Sequence, residues 1–344
     1  DLFGCSVSSA EDVNGDGFSD VICGAPNNDA AGTNAGRAYV YLGSNPMNTT
    51  ADLTITGAAA NDIFGYSVSG NGDVNGDGYS DVVSGAPLND AGGSYSGSVY
   101  VYFGGATLDN TVDVTLAGMT GENFGHSVSI QGDLNGDGYS DILAGAPNNG
   151  AVFTDAGRTY VYYGGSSVDN VRDVMFSGEN SLDNLGFKVA YAGDVNGDGY
   201  TDILAGAPFN NAGGTAAGKV YLYMNSMTGS DIADEYFTGS AAYDGLGCSV
   251  SGAGDVNGDG YSDLIVGALD YNSSQGIAYI FFGGSVLDNT ADVTMIGEAA
   301  IDYFGQAVSR AGDVNSDGFA DVIVGASGND AGGSTAGRAY IYFG

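Results

Sequence analysis

Apolar and polar positions alternate along this chain in short runs, and no apolar period of 3.6 residues persists for a useful length. The run 64–69 alternates large and small side chains, as a strand does. An apolar run follows at 82–87 and ends in Pro87. A Gly-, Ser- and Asn-rich stretch covers 88–97. The β-branched and aromatic run 98–103 comes next, then a shorter one at 112–116. This predicts four strands and almost no helix. The same succession recurs six times, over 1–61, 62–121, 122–182, 183–243, 244–301 and 302–344. The sixth copy stops after its third predicted strand; residues before Asp1 or after Gly344 in a longer chain are expected to supply the fourth, and otherwise that sheet edge is open to strand exchange or self-assembly.

Length alone suggests about two domains, but the repeat overrides that prior. A four-stranded unit cannot bury both of its faces, whereas stacked neighbours bury each other's. Four strands per unit at a period near 60 residues, with 61 glycines for turns and tight packing, predict one all-β domain over 1–344. The expected fold is a β-propeller of about six four-stranded blades.

Between the first and second strands of every unit stands the pattern D-x-N-x-D-G-x-x-D. Its copies begin at Asp12, Asp73, Asp133, Asp194, Asp255 and Asp313, at steps of 61, 60, 61, 61 and 58 residues. Side-chain oxygens at positions 1, 3, 5 and 9 and the backbone carbonyl of position 7 converge if the backbone curls. Glycine at position 6 permits the sharp turn. The candidate ligands are Asp12, Asn14, Asp16, Phe18 and Asp20 in the first loop, and Asp73, Asn75, Asp77, Tyr79 and Asp81 in the second. In the third and fourth they are Asp133, Asn135, Asp137, Tyr139 and Asp141, then Asp194, Asn196, Asp198, Tyr200 and Asp202. The last two loops supply Asp255, Asn257, Asp259, Tyr261 and Asp263, then Asp313, Asn315, Asp317, Phe319 and Asp321. Hard oxygen ligands without nitrogen or sulfur suit Ca²⁺ better than Mg²⁺, zinc or copper. About six structural Ca²⁺ per chain are expected. Asp, Asn and Gly are also ordinary turn residues, but a turn does not require three carboxylates at fixed offsets six times. Only the sixth loop departs at position 4, a non-ligand position, with Ser316 for Gly.

The formal net charge is −35, from 42 acidic and seven basic residues, and 18 of the acidic residues lie in the loops. Six bound Ca²⁺ would still leave the chain strongly acidic, which argues against nucleic acid as a partner. No apolar run approaches the length of a membrane span. Low-affinity Ca²⁺ loops make most sense where Ca²⁺ is millimolar, so an extracellular or cell-surface location is expected, as the mature or excised part of a longer secreted protein. The sequons at Asn48 and Asn272 add little in a chain this rich in Asn, Ser and Thr.

Cys5 and Cys23 fall on strands predicted to be hairpin neighbours, which permits a bridge, although small buried thiols are the preferred reading. Cys248 occupies the repeat position of Cys5, where other copies carry Tyr66, His126, Phe187 and Gln306. Such tolerance argues against chemistry at the thiol or at the single histidine. An acidic residue just before each first strand (Asp1, Asp62, Glu122, Asp183, Asp244 and Asp302) reads as a turn cap rather than a catalytic carboxylate. No acid–base or nucleophilic constellation stands out, so no enzyme is predicted.

Phe-Gly and Gly-Ala-Pro signals bracket the loops: Phe3-Gly4 with Gly24-Ala25-Pro26, Phe64-Gly65 with Gly85-Ala86-Pro87, and Phe124-Gly125 with Gly145-Ala146-Pro147. Leu185-Gly186 and Leu246-Gly247 replace Phe-Gly, while Gly267-Ala268-Leu269 and Gly325-Ala326-Ser327 lack the Pro. In this the chain resembles FG-GAP repeats, the blades of the integrin α-subunit propeller. Those propellers have seven blades, with Ca²⁺ loops in some; this chain has six copies, all with loops. The resemblance implies Ca²⁺ loops on one face and ligand contacts on the other. On that second face the connections between strands two and three carry Tyr95, Phe153, Phe209 and Tyr271. The expected function is an adhesion or protein-interaction module. Alternatives are a lectin-like glycan-binding propeller and a structural module of a surface layer or filament.

Overall fold

The computed structural model describes residues 1–44, 46, 49–224 and 232–344; the Asn48 sequon lies outside the described residues. The described chain divides into two compact units, residues 1–175 and 176–344. It folds as six antiparallel sheets in which consecutive strands are neighbours. The first sheet contains β1 (Val7–Glu11), β2 (Asp20–Ala25), β3 (Arg37–Tyr41) and β4 (Leu53–Thr56). The second contains β5 (Ser67–Gly72), β6 (Asp81–Ala86), β7 (Ser98–Tyr102) and β8 (Val114–Ala117). The third runs from β9 (Ser127–Gly132) through β10 (Asp141–Ala146) and β11 (Arg158–Tyr162) to β12 (Val174–Ser177).

The fourth sheet is β13 (Lys188–Gly193), β14 (Asp202–Ala207), β15 (Lys219–Tyr223) and β16 (Glu235–Thr238), and the fifth is β17 (Leu246–Gly254), β18 (Asp263–Ala268), β19 (Ile277–Phe281) and β20 (Val293–Ile296). The sixth has three strands, β21 (Phe304–Gly312), β22 (Asp321–Ala326) and β23 (Arg338–Tyr342), as the sequence predicts. Six such meanders make an all-β propeller fold of six blades. The near absence of helix is also as expected. A turn at Tyr271–Ser274 is the one helix-like element among the described residues, and Asn272 and Ser273 within it are left-handed. No described helix is long and apolar enough to cross a membrane.

The core lies between successive blades. Ile22, Ala38, Val40 and Ile55 of the first pack with Phe64, Val68, Val82 and Tyr102 of the second. The second strand of blades two to five is buried along its whole length, because both of its faces meet apolar side chains. The Phe-Gly and Gly-Ala-Pro signals mark the place of closest approach. A Cβ on Gly24 would sit 2.9 Å from the Gly65 carbonyl carbon, and one on Gly85 equally close to that of Gly125. Gly206 faces Gly247, and Gly267 faces Gly305, in the same way. Only glycine lets the two backbones meet. The phenylalanine of each signal packs against the tyrosines of its own third strand, as Phe64 does, tilted on Tyr100 and edge-on to Tyr102. Leu185 and Leu246 fill the same buried position without a ring.

The first strand begins later than the run 64–69 suggests. Ile63 and Gly65 have positive φ, and the N–H groups of Ile63 and Phe64 donate to Asn34 and Ala35 of the preceding blade. Phe64-Gly65 is therefore an inter-blade turn, and β5 starts at Ser67. All three cysteines are free thiols; Cys23 and Cys248 are buried, whereas Cys5 precedes β1 and is exposed.

Candidate metal loops

The loops between the first and second strands share one local architecture. In the second loop Asp73 accepts hydrogen bonds from the Gly76 and Asp77 N–H groups at Oδ1 and from Gly78 at Oδ2. Asn75 Oδ1 accepts from Asp77 N–H, and Asp77 Oδ1 accepts from Tyr79 N–H. The Asn75 amide also donates to Asp77 Oδ2 at 3.0 Å. Gly76 and Gly78 both have positive φ, near 75° and 90°, which curls the backbone about these oxygens. The third, fourth and fifth loops repeat the network with Asp133, Asp194 and Asp255 at its centre. The first and sixth keep its main bonds around Asp12 and Asp313. In the sixth, Ser316 adopts the positive φ that Gly has elsewhere.

The ninth-position carboxylate is placed differently. Asp81 is fully buried; its Oδ2 accepts from Val74 N–H at 2.7 Å and its Oδ1 from Gly104 N–H at 2.8 Å. Asp20, Asp141, Asp263 and Asp321 make the same pair of bonds. This residue therefore ties the loop to the end of the third strand of its own blade. Burial pushes Asp81 and Asp141 up to about 7 and Asp263 to about 6, with the loop carboxylates at positions 1 and 5 adding to the rise. Positions 1, 3 and 5 are thus brought together, and position 9 stands close enough to feel their charge. Among the described residues no three acidic, His or Cys side chains form a ready metal cluster. The donor set is nonetheless all oxygen. The mutual repulsion of its carboxylates is what a divalent cation would relieve.

Neighbouring loops are locked together. The ring at position 7 covers the position-4 glycine of the preceding loop: a Cβ on Gly15 would lie 2.6 Å from Tyr79 Cε1, and Gly197 stands in the same relation to Tyr261. Ser140 N–H donates to Asp73 O, and Ser262 N–H to Asp194 O, both at 2.9 Å. A tyrosine at position 7 therefore serves the preceding loop as well as its own, a role that sequence reasoning missed.

The acidic residues before the Phe-Gly or Leu-Gly turns of blades two to six are caps, as expected. Asp62 Oδ2 accepts from Ala59 N–H and from the Asn89 amide, and Asn89 Oδ1 accepts from Ser98 Oγ. Asp183–Asn210 and Asp302–Asn329 repeat this buried pair. Sequence reasoning missed the asparagine, although it recurs two residues after the Gly-Ala-Pro position as Asn28, Asn89, Asn149, Asn210 and Asn329. The fifth blade carries Tyr271 there. Its shorter connection borders an open cleft of about 580 Å³ lined by Tyr243, Asp244, Asp270, Tyr271, Asn272 and Ser273. Tyr95, Phe153 and Phe209 are exposed on the equivalent connections. His126 packs against Tyr66 with the two rings tilted by 54°, its Nε2 3.2 Å from the tyrosine hydroxyl.

The FG-GAP repeat model matches residues 3–41, 64–102, 124–162, 189–223, 249–281 and 304–342. The chain is 34% identical over 227 residues to integrin alpha-5 of Xenopus laevis, covering 61% of this chain and 20% of that protein. It is 32% identical over 263 residues to integrin alpha-PS2 of Drosophila melanogaster, covering 69% of this chain and 18% of that one. The chain thus spans about a fifth of the length of these relatives. Among solved structures, BBS1N in complex with ARL6DN aligns over 100% of this chain and 82% of its own, at a TM-score of 0.56 and 10% identity, a likeness of fold alone.

Proposed function

Since the chain belongs to the FG-GAP repeat family, we propose that it is an extracellular, calcium-binding adhesion or protein-interaction module whose loops hold about six structural Ca²⁺ ions. The observation that carries this is the loop network repeated in every blade. Within each loop the carboxylates of positions 1 and 5, the position-3 amide oxygen and the position-7 carbonyl supply the ligands, and the position-9 carboxylate closes the set. Bound Ca²⁺ would offset the carboxylate repulsion and pin the turn between the first two strands. Ions that bind the folded loop and not the unfolded chain stabilise the fold by mass action, about 2.7 kcal/mol per site at a hundredfold excess over Kd.

Adhesion is supported by the likeness to integrin alpha subunits and by the exposed aromatics on the connections between second and third strands. The buried Asp–Asn pairs make the base of the connections in blades two, four and six structural, and the tips of these connections are the surface offered to a partner. A glycan is the second reading, favoured by the cleft that Tyr243 and Tyr271 share with Asp270 and Asn272. Tyrosine faces and planar hydrogen-bonding groups suit a sugar ring.

The test is Ca²⁺ stoichiometry by native mass spectrometry, on the wild type and on Asp137→Ala with Asp141→Ala. The double variant should hold one ion fewer; an unchanged count removes the third loop from the set. A glycan array with and without chelator decides between the two partner classes.

A further inference from the structure

Building on the glycan reading of the fifth-blade cleft, we propose that this cleft takes a sugar that carries a protonated amine. Its ligand class is then the cationic amino sugars, in preference to neutral or acidic glycans.

The fifth blade departs from its sisters at this place in two ways. Its connection runs from Ala268 to Gly276, where the second blade runs from Ala86 to Gly97. It is three residues shorter, which is the difference between the 58-residue step of its loop to the next and the usual 61. Tyr271 also stands where Asn89, Asn210 and Asn329 bring an amide onto the capping carboxylate in blades two, four and six.

The cap of the fifth blade therefore meets the cleft without that amide. Asp244 is only 4% exposed, and it lines the cleft. Its Oδ2 accepts from the Ala241 N–H at 2.7 Å and from Ser240 Oγ at 2.9 Å, whereas its Oδ1 has no donor among the described residues. Asp270 stands beside it. The Asp270 N–H donates to the Asp244 carbonyl at 3.3 Å, its Oδ1 accepts from Ser274 Oγ at 3.0 Å, and its Oδ2 also has no donor among the described residues. No basic side chain lines the cleft. A buried carboxylate oxygen without a donor is costly. An ammonium group brings three N–H donors and a compensating charge, and its hydrogen bonds to carboxylates are the stronger, charge-assisted kind. A sugar hydroxyl brings one donor and no charge. A sugar carboxylate would be repelled, and a chain of net charge −35 draws cations in.

The rings point to a sugar around that amine. Tyr243 and Tyr271 both line the cleft. Tyr243 is 65% exposed and left-handed, with φ of 68°. Blades two and three place Asn61 and Gly121 at the same position, with φ of 69° and 82°, and these residue types adopt that conformation more readily than tyrosine. Leu182 and Ile301 hold it in blades four and six. The turn therefore does not need an aromatic ring, and in the fifth blade the ring offers a face to a pyranose and to the ammonium beside it. On the rim, the Asn272 amide donates to Gln275 and keeps its Oδ1 for a sugar hydroxyl, next to the exposed Ser273.

The test is isothermal titration calorimetry on the full Ca²⁺-loaded chain at slightly acidic pH. The probes are a β-1,4-linked glucosamine trimer, its fully N-acetylated counterpart and trilysine. The amine trimer should bind. The acetylated trimer keeps the rings and loses the charge, trilysine keeps the charge and lacks the rings, and each should bind about tenfold more weakly or worse. Asp270→Asn should weaken the amine trimer about tenfold. Tyr243→Asn installs the residue that blade two carries at this φ, and it should weaken the amine trimer severalfold. Neither variant should move the melting temperature. Equal affinity for the two trimers overturns the proposal and leaves a neutral-sugar cleft. Trilysine binding as tightly as the amine trimer overturns it by making the cleft a simple charge patch. Binding of neither trimer removes the glycan reading as well, and amine-trimer binding that both variants retain places the site elsewhere and overturns the proposal.

Discussion

Gly267→Ala tests most sharply what joins the blades. The added methyl would lie 2.9 Å from the Gly305 carbonyl carbon, closer still to its oxygen, and would crowd Ser249 Oγ. Ordinary contact needs more than 3.4 Å, so the boundary between the fifth and sixth blades must open by more than an ångström to clear that oxygen. Opening strains three hydrogen bonds, from Ser249 Oγ to Gly305 O at 2.6 Å, Tyr303 N–H to Ser274 O at 2.9 Å and Phe304 N–H to Gln275 O at 3.2 Å. Overpacking costs about 1–3 kcal/mol, and each weakened hydrogen bond adds about 0.5–1.5 kcal/mol. Together these give a loss of roughly 2.5–7.5 kcal/mol. Gly325→Ala is the matched control, because the same substitution at the same repeat position meets nothing closer than 3.7 Å. It should change stability by less than about 0.5 kcal/mol. Urea unfolding of both variants at low protein concentration reads the difference. If Gly267→Ala unfolds at the same midpoint as Gly325→Ala, close backbone approach is not what the recurring glycines serve.

Chelation of the loaded protein should lower its melting temperature by tens of degrees, since several sites would each withdraw about 2.7 kcal/mol at a hundredfold excess of ion; a melt indifferent to EDTA removes the structural role of Ca²⁺. Asn89→Ala takes the amide from the buried Asp62 carboxylate and the acceptor from Ser98 Oγ, so it should cost about 1–3 kcal/mol in urea unfolding. A thiol reagent should modify Cys5 in the folded protein and spare Cys23 and Cys248, because burial shields both and pushes Cys248 up to about 11; three equivalents of rapid reaction would contradict the burial.

The repeat, the meander and the loops were legible because their signals are local. Alternation marks the strands, and glycine at positions 4 and 6 marks a curled backbone that the structure places at positive φ. The missing fourth strand of the last blade was readable for the same reason. What stayed hidden depends on a neighbour. Phe64-Gly65 reads as the start of a strand until the preceding blade is seen to accept its N–H groups. Tyr79 reads as a ligand of its own loop, and its ring turns out to cover Gly15 of the loop before. Asp81 reads as one ligand among five, and in the folded blade both of its oxygens hold backbone N–H groups. The Asn89 partner of Asp62 lies 27 residues away in a connection that looks merely polar. Its recurrence in five blades was a signal available in the sequence, because a solvated loop tip has no need of one amide at one offset.

Calcium counting on the intact chain tests the central claim most directly. After exhaustive chelation and return of Ca²⁺, native mass spectrometry should find about six ions per chain, one for each D-x-N-x-D-G-x-x-D loop. A folded chain that retains none at millimolar Ca²⁺ would contradict the account and leave the loops as self-capped turns.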